Sequence, residues 1–286
     1  MNTKIKKTLS SMPLHIVVIG ISLIWLLPSV GLLISSLRPA NDVLSTGWWT
    51  VFVHPFDFTQ LQLDNYIDVL TAQGLGRAFL NSLTIAIPST VIPIMIAAFA
   101  AYAFAWMDFP GRQVLFVVVV GLLVVPLQMT LIPILRLYNR LGLAGTFLGI
   151  WLAHTGYGLP FAVYLLRNFF GALPKDLFES AFLDGASELT AFFRLALPLS
   201  VPALASLAIF QFLWVWNDLL VALIYLGGTE TVAPLTVKVS LLVNSLGQQW
   251  HLLTAAAFVS MALPLVLFFS LQRYFVRGIL AGSVKG

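Results

Sequence analysis

The chain has 286 residues, of which 59% are hydrophobic and only 9% charged, against roughly 25% charged in soluble domains. A water-soluble protein of this size cannot hide so much apolar surface, so most of its solvent is lipid. The net charge of +4 is then topological information rather than a nucleic-acid signal, and the absence of cysteine excludes disulfides and thiolate-bound metal.

The first thirteen residues, Met1–Pro13, have the basic character of a signal-peptide n-region, but the apolar run behind them is too long for an h-region and no small-residue cleavage site follows. An uncleaved first span is expected. A spanning helix needs about 20 mainly apolar residues, and six runs qualify: Leu14–Leu37, Ala78–Met107, Gln113–Leu135, Leu141–Leu166, Leu195–Gly227 and Leu252–Gln272. Together they leave no room for a separate soluble domain, so residues 1–286 are expected to form one all-α, polytopic transmembrane domain. A β-barrel would alternate polar and apolar residues, whereas Val114–Pro126 is apolar on every face. Every span carries proline: Pro28, Pro88 and Pro93, Pro126 and Pro133, Pro160, Pro198 and Pro202, and Pro264. Each removes a backbone donor. Membrane helices tolerate this where neighbours or water satisfy the freed carbonyls, and the same prolines would also suit bent helices around a path that opens and closes.

Six spans put Lys4, Lys6, Lys7, Arg112, Arg167, Lys175, Arg194, Arg273, Arg277 and Lys285 on one side, and Arg38, Arg77, Arg136, Arg140 and Lys238 on the other. The positive-inside rule then places both termini in the cytoplasm, although Arg136 and Arg140 run against the trend. The long first loop lies outside, with Asp42, Asp57, Asp64 and Asp68 and an aromatic stretch, Gly47–Phe56, suited to the membrane interface.

Residues 167–199 form a cytoplasmic loop. Within it, Leu173–Gly185 reads as a short helix: Pro174 at the first helical position and Gly185 just past the end. Leu177, Phe178, Ala181 and Phe182 share one face, and Asp176, Glu179 and Ser180 the other. A helix lying on headgroups would favour Lys and Arg; this acidic one would be repelled by anionic lipid and suits a protein partner. In the fifth span, Gln211, Trp214, Asn217, Asp218 and Val221 fall on one stripe at helical spacing. Asp218 is the single charged residue in any span. The stripe suits a polar solute pathway. The alternative is that Asn217 and Asp218 bond a partner subunit or backbone freed by a bend.

The stretch Glu179–Leu204 resembles the EAA motif of ABC importer permeases, with Glu179, Ala181, Asp184, Gly185 and Pro198 matching and Ser180 replacing the first alanine. Phe79–Arg112, Leu166–Ser180, Trp214–Leu223 and Leu271–Gly286 are similar to the corresponding parts of the MalG-like carbohydrate permeases. One departure is Trp106, where that family often has arginine.

The resemblance implies a type I ABC importer permease fold in the bacterial inner membrane, with no covalent chemistry of its own. It implies a second, MalF-like permease, two ATP-binding cassette subunits that carry ATP and Mg, an extracytoplasmic solute-binding protein, and a carbohydrate substrate. No cofactor is expected on this chain, and it has no G-x-x-x-x-G-K-[ST] loop. Glu179, Ser180, Ala181, Asp184, Gly185 and Pro198 would couple to the ATPases, as would Gly282, Lys285 and Gly286 of the C-terminus. Gln248, Gln249 and Trp250, in the last external loop, would face the binding protein.

An ion-coupled transporter would want several buried ionisable groups, and a membrane enzyme clustered His, Asp or Glu; His15, His54, His154 and His251 are scattered. Within the importer class, polyamines, peptides or phosphate are alternative solutes. The Trp214–Leu223 and C-terminal motifs lean toward sugars, and the aromatic and amide content around the fifth span suits a neutral polyhydroxylated solute, such as a di- or oligosaccharide or a glucoside, osmolytes included.

Overall fold

A computed structural model describes residues 3–245 and 249–283, with side chains over 12–243 and 249–270. Every regular element among them is helical. In chain order these are α1 (Thr3–Ser36), α2 (Ala40–Ser45), α3 (Asp64–Leu70), α4 (Leu75–Trp106), α5 (Arg112–Gly121), α6 (Leu127–Leu141), α7 (Phe147–Gly171), α8 (Lys175–Leu183), α9 (Glu188–Ala191), α10 (Leu197–Leu199), α11 (Val201–Trp216), α12 (Leu220–Tyr225), α13 (Leu235–Ser245) and α14 (Trp250–Ser283). Short 3₁₀ turns lie at Trp48–Phe52, Phe58–Gln60 and Leu122–Val124, and a π turn at Phe192–Ala196.

Among the described residues, Met12–Ser36, Leu75–Trp106 and Trp250–Ser270 are each long and apolar enough to cross a membrane. Two bent pairs could each make one further span: Arg112–Val124 with Leu127–Leu141, bent by 100°, and Glu188–Leu199 with Val201–Trp216, bent by 73°. The first bend has a local cause. Proline disfavours a helical residue before it, and Val125, ahead of Pro126, is extended at φ −72°, ψ 115°. The run Gln113–Leu135 is therefore not one straight helix, and α6 continues past it to Leu141 before Gly142 ends it in the left-handed region at φ +68°. Helix α7 has 25 residues, about 37 Å at 1.5 Å each, but His154, Thr155, Tyr157 and four glycines dilute its apolar character. Much of it is buried, from Gly149 and Ile150 through His154, Ala162 and Val163 to Phe170. The buried side faces protein rather than lipid and carries the polar His154 and Thr155, while Leu148, Leu152 and Phe161 keep the exposed side apolar.

The chain divides into two compact units. The first comprises residues 1–76 and 239–261. Its aromatic segment after α1 is a folded platform. Arg38 is buried, and its guanidinium donates to Gly47 O at 3.1 Å, Thr46 Oγ1 at 2.6 Å and Thr50 Oγ1 at 3.2 Å. Asn65 Nδ2 donates to the carbonyls of Ser36 and Arg38. Gly31 lies flush against the Trp48 indole, where an added Cβ would meet Nε1 at 2.7 Å. Trp49, Phe52, Phe56 and Phe58 remain exposed, as suits an interface belt.

The second unit comprises residues 77–238 and 262–286. Its core joins Ala97, Ala98, Ala101 and Tyr102 of α4, Ala162, Val163, Leu166 and Phe170 of α7, Phe178 of α8, and Ala191, Phe192, Ala196 and Leu207 beyond. The alanines let helices approach closely, which drives packing where lipid is the solvent. Proline shapes the run at residues 195–227. Pro198 and Pro202 flank Ser200, where α10 gives way to α11. A second break, at Asn217–Leu219, separates α11 from α12.

Candidate functional site

The acidic segment that interrupts the apolar sequence folds as the nine-residue helix α8, capped by Pro174 one position earlier than expected. Gly185 sits at φ +82°, with nothing within 4 Å of an added Cβ, so backbone conformation rather than space demands glycine there. Ala186 N–H donates to Ala181 O at 2.9 Å and Gly185 N–H to Phe182 O at 3.0 Å. These two bonds are a Schellman cap. Glu179, Ser180 and Asp184 are exposed and Ala181 is half-buried. Leu183 is 90% exposed, so the tip of the helix presents an apolar side chain beside its acids.

One residue seats α8. Phe178 is fully buried, and its ring stacks on Trp106 of α4 with centroids 3.9 Å apart and planes 19° apart. Trp106 Nε1 donates to Phe170 O, at the end of α7, at 3.1 Å. The rest of the loop is fastened to the same helix. Tyr102 donates its hydroxyl proton to Glu188 Oε2 at 2.7 Å, and Phe99 stacks on Phe192 at 4.6 Å. Ser187 caps α9 by accepting from Thr190 N–H. Pro198 is exposed in α10. The sequence marks Phe178 only as one of four apolar positions and Trp106 only as a departure, and Tyr102 is not singled out. The Phe99, Tyr102, Trp106 spacing of three and four was the available clue, since it puts all three on one helical stripe.

The polar stripe expected at 211–221 is divided, because the helix carrying it ends at Trp216. Gln211 is buried and donates through Nε2 to Ser89 O at 3.2 Å. It rests on Gly158, where an added Cβ would lie 2.6 Å from Nε2. Trp214 packs edge-on to His154, centroids 5.3 Å apart. A groove of about 370 Å³ opens beside Gln211 and Trp214, lined also by Tyr157, Phe161 and Phe210. Tyr157 OH links Thr130 Oγ1 and Tyr225 OH, each at 2.8 Å.

Asn217 and Asp218 do different work. Asn217 is exposed, and its Nδ2 donates to Leu213 O at 2.7 Å, closing α11. Asp218 accepts from Val221 N–H at 3.2 Å and Ala222 N–H at 2.9 Å, capping α12. Its backbone carbonyl accepts from Thr236 Oγ1 at 2.6 Å. His154 Nε2 lies 3.7 Å from Asp218 Oδ2, beyond hydrogen-bond range.

Gln249 and Trp250 are exposed at the start of α14, in the first unit. Gln248 lies outside the described residues, as do Lys285 and Gly286, while Gly282 falls in the last turn of α14. Among the described residues no group of three or more His, Cys, Asp and Glu could hold a metal ion.

Comparison with known proteins gives this geometry a family. The chain is 70% identical over 274 residues to the osmoprotective compounds uptake permease protein GgtD of Synechocystis sp., covering 96% of this chain and 92% of that one. It is 63% identical over 229 residues to the alpha-glucoside transport system permease protein AglG of Rhizobium meliloti, covering 78% of this chain and 60% of that one. Its fold matches the crystal structure of a bacterial ABC transporter involved in the import of the acidic polysaccharide alginate, with a TM-score of 0.73 at 20% identity over 94% of this chain and 98% of that one. A family model, binding-protein-dependent transport system inner membrane component, matches residues 7–281. Lipid-suited helices, a short helix seated by a single buried ring, and these matches agree: the chain belongs to the family of binding-protein-dependent transport system inner membrane components.

Proposed function

We propose that this chain is one of two permease subunits of an ATP-driven importer that carries a sugar, in the range from glucosides to oligosaccharides, into the cytoplasm. It is a transport subunit rather than an enzyme. ATP and Mg²⁺ reside on two partner ATPases, a MalF-like partner completes the pathway, and an extracytoplasmic binding protein delivers the solute. Six spans with both termini cytoplasmic put α8 on the ATPase side and the Arg38 platform outside. Glu179, Ser180, Ala181, Asp184, Gly185 and Pro198 form the coupling loop, with the C-terminal Gly282, Lys285 and Gly286 reaching the same ATPases. Gln248, Gln249 and Trp250 face the binding protein.

The observation that carries this reading is α8: nine residues, too short to span, held by one buried ring, with its acids and Leu183 turned outward. Such a helix is marginal alone and is shaped to be gripped and displaced. The similarity to a permease named for alpha-glucosides supports a glucosylated solute, and that to a permease named for osmoprotective compounds supports an osmolyte. So does the groove at Tyr157, Phe161, Phe210, Gln211 and Trp214, whose rings suit pyranose faces. Asp218 is committed to two backbone N–H groups, which leaves it poorly placed to carry a coupling ion.

Gentle detergent extraction from the native membrane, with mass spectrometry of what co-purifies, tests the assembly. A second permease and a P-loop ATPase are the expected companions, after which the binding protein is screened against glucosides and oligosaccharides. An intact, folded chain that emerges alone or as a homo-oligomer would overturn the importer reading.

A further inference from the structure

We infer that α4 is the rod through which the coupling loop drives the pathway, and that Trp106 and Tyr102 are the positioning residues that fasten the loop to it. This rests on the coupling-loop reading and adds the route by which displacement of α8 travels.

Along the chain itself that route is poor. From α8 toward α11 it passes through the left-handed Gly185, the π turn at Phe192–Ala196 and the break at Ser200, where the axis turns by 73°. Each of these can absorb a displacement by bending. Packing offers a bypass. Phe99, Tyr102 and Trp106 lie on one stripe of α4 and hold three successive pieces of the loop. Trp106 holds Phe178 of α8 by the 3.9 Å ring stack, and Tyr102 holds Glu188 of α9 by the 2.7 Å hydrogen bond. Phe99 holds Phe192 of the π turn at 4.6 Å, and Tyr102 meets the same ring edge-on at 5.3 Å. The loop is thereby joined to the last turns of α4 as one body.

The other half of α4 is tied to the pathway side of the same unit. Ser89 O accepts from Gln211 Nε2, on the groove wall. Ser82 Oγ accepts from Leu235 N–H at 2.8 Å, and Asn81 Nδ2 donates to Ala233 O at 3.1 Å. The adjoining Thr236 holds the Asp218 carbonyl at the α11–α12 break. All these partners are buried or half-buried, so water does not compete freely for them. A 32-residue helix, about 48 Å long and continuous through Pro88 and Pro93 without a break, thus grips the coupling loop near one end and both the groove and the break along its other half. A contiguous packed element of this kind can carry coupling between distant sites.

The test uses the whole importer in proteoliposomes: this chain, its partner permease, the ATPases and the binding protein. Solute uptake and ATP hydrolysis are measured together. Trp106→Ala and Tyr102→Phe should keep hydrolysis but lower uptake per ATP by about fivefold or more, the low end of coupling between linked sites. Trp106→Phe, which restores a stacking ring, should recover most of the loss. Tyr102→Phe removes a single oxygen and keeps the ring against Phe192, so its result stands even where Trp106→Ala assembles poorly.

The chain has no cysteine, so Trp106→Cys with Phe178→Cys, in an importer otherwise made cysteine-free, allows the two helices to be tethered by a short thiol-reactive linker. Tethering should restore uptake per ATP, because loop and α4 move together. A tether that blocks transport, or unchanged uptake per ATP in both Trp106→Ala and Tyr102→Phe, overturns the inference. Glu179→Lys separates the two levels. If it uncouples while the α4 variants do not, the α4 route alone is wrong; if none uncouples, the coupling-loop reading falls with it.

Discussion

Phe178→Ala isolates what holds the coupling helix. Phe178 is fully buried and is the single buried residue of α8. Replacing such a phenylalanine by alanine costs about 3–5 kcal/mol, of which the stack on Trp106 accounts for about 0.5–1.5 kcal/mol. Little else resists undocking, because Leu177, Phe182 and Leu183 are exposed and a nine-residue helix is not stable by itself. Even the lower figure, about 3 kcal/mol, raises the undocked population roughly a hundredfold. Undocking should unwind α8, so the amides of Glu179–Leu183 should exchange with solvent faster by roughly that factor, read by hydrogen–deuterium exchange on the purified assembly. The amides of α7 should change little. Wild-type exchange across α8 in the variant would refute the claim that one ring seats the helix.

Gly185→Ala forces a side chain into the left-handed region and should cost about 1–2 kcal/mol, seen as faster exchange at the α8 cap and reduced uptake per ATP. Asp218→Asn keeps one of the two acceptor oxygens that the Val221 and Ala222 N–H groups use, so it should transport nearly as well as wild type and lose less thermal stability than Asp218→Ala, which strands both at a cost of about 1–2 kcal/mol. Loss of transport in Asp218→Asn with normal stability would instead make the charge itself functional. Gly158→Ala puts a Cβ 2.6 Å from Gln211 Nε2 and should displace that side chain from Ser89, costing about 1–3 kcal/mol. Adding Gln211→Ala should recover part of the stability while leaving solute KM raised, and full additivity of the two changes would show that the residues do not interact.

Composition and local chemistry determined a good deal. A chain 59% hydrophobic and 9% charged must fold in lipid, and in lipid backbone polar groups are satisfied within helices or closed barrels. Proline and glycine at Pro174 and Gly185 delimited α8 within a residue, because their effects on φ and on donors are local. The motif around Glu179 pointed to an importer permease, and the family matches agree. Tertiary structure decided the rest. Whether a proline merely kinks a helix or breaks it depends on what satisfies the freed groups, so the 100° bend at Pro126 and the capped break at Asp218 were not legible from spacing. Hydropathy counts residues without knowing which face lipid, so it could not show that α7 is buried by its own neighbours. Nor can periodicity pair stripes across helices: Trp106 meets Phe178 from 72 residues away only because α4, α7 and the loop converge at one end of the second unit.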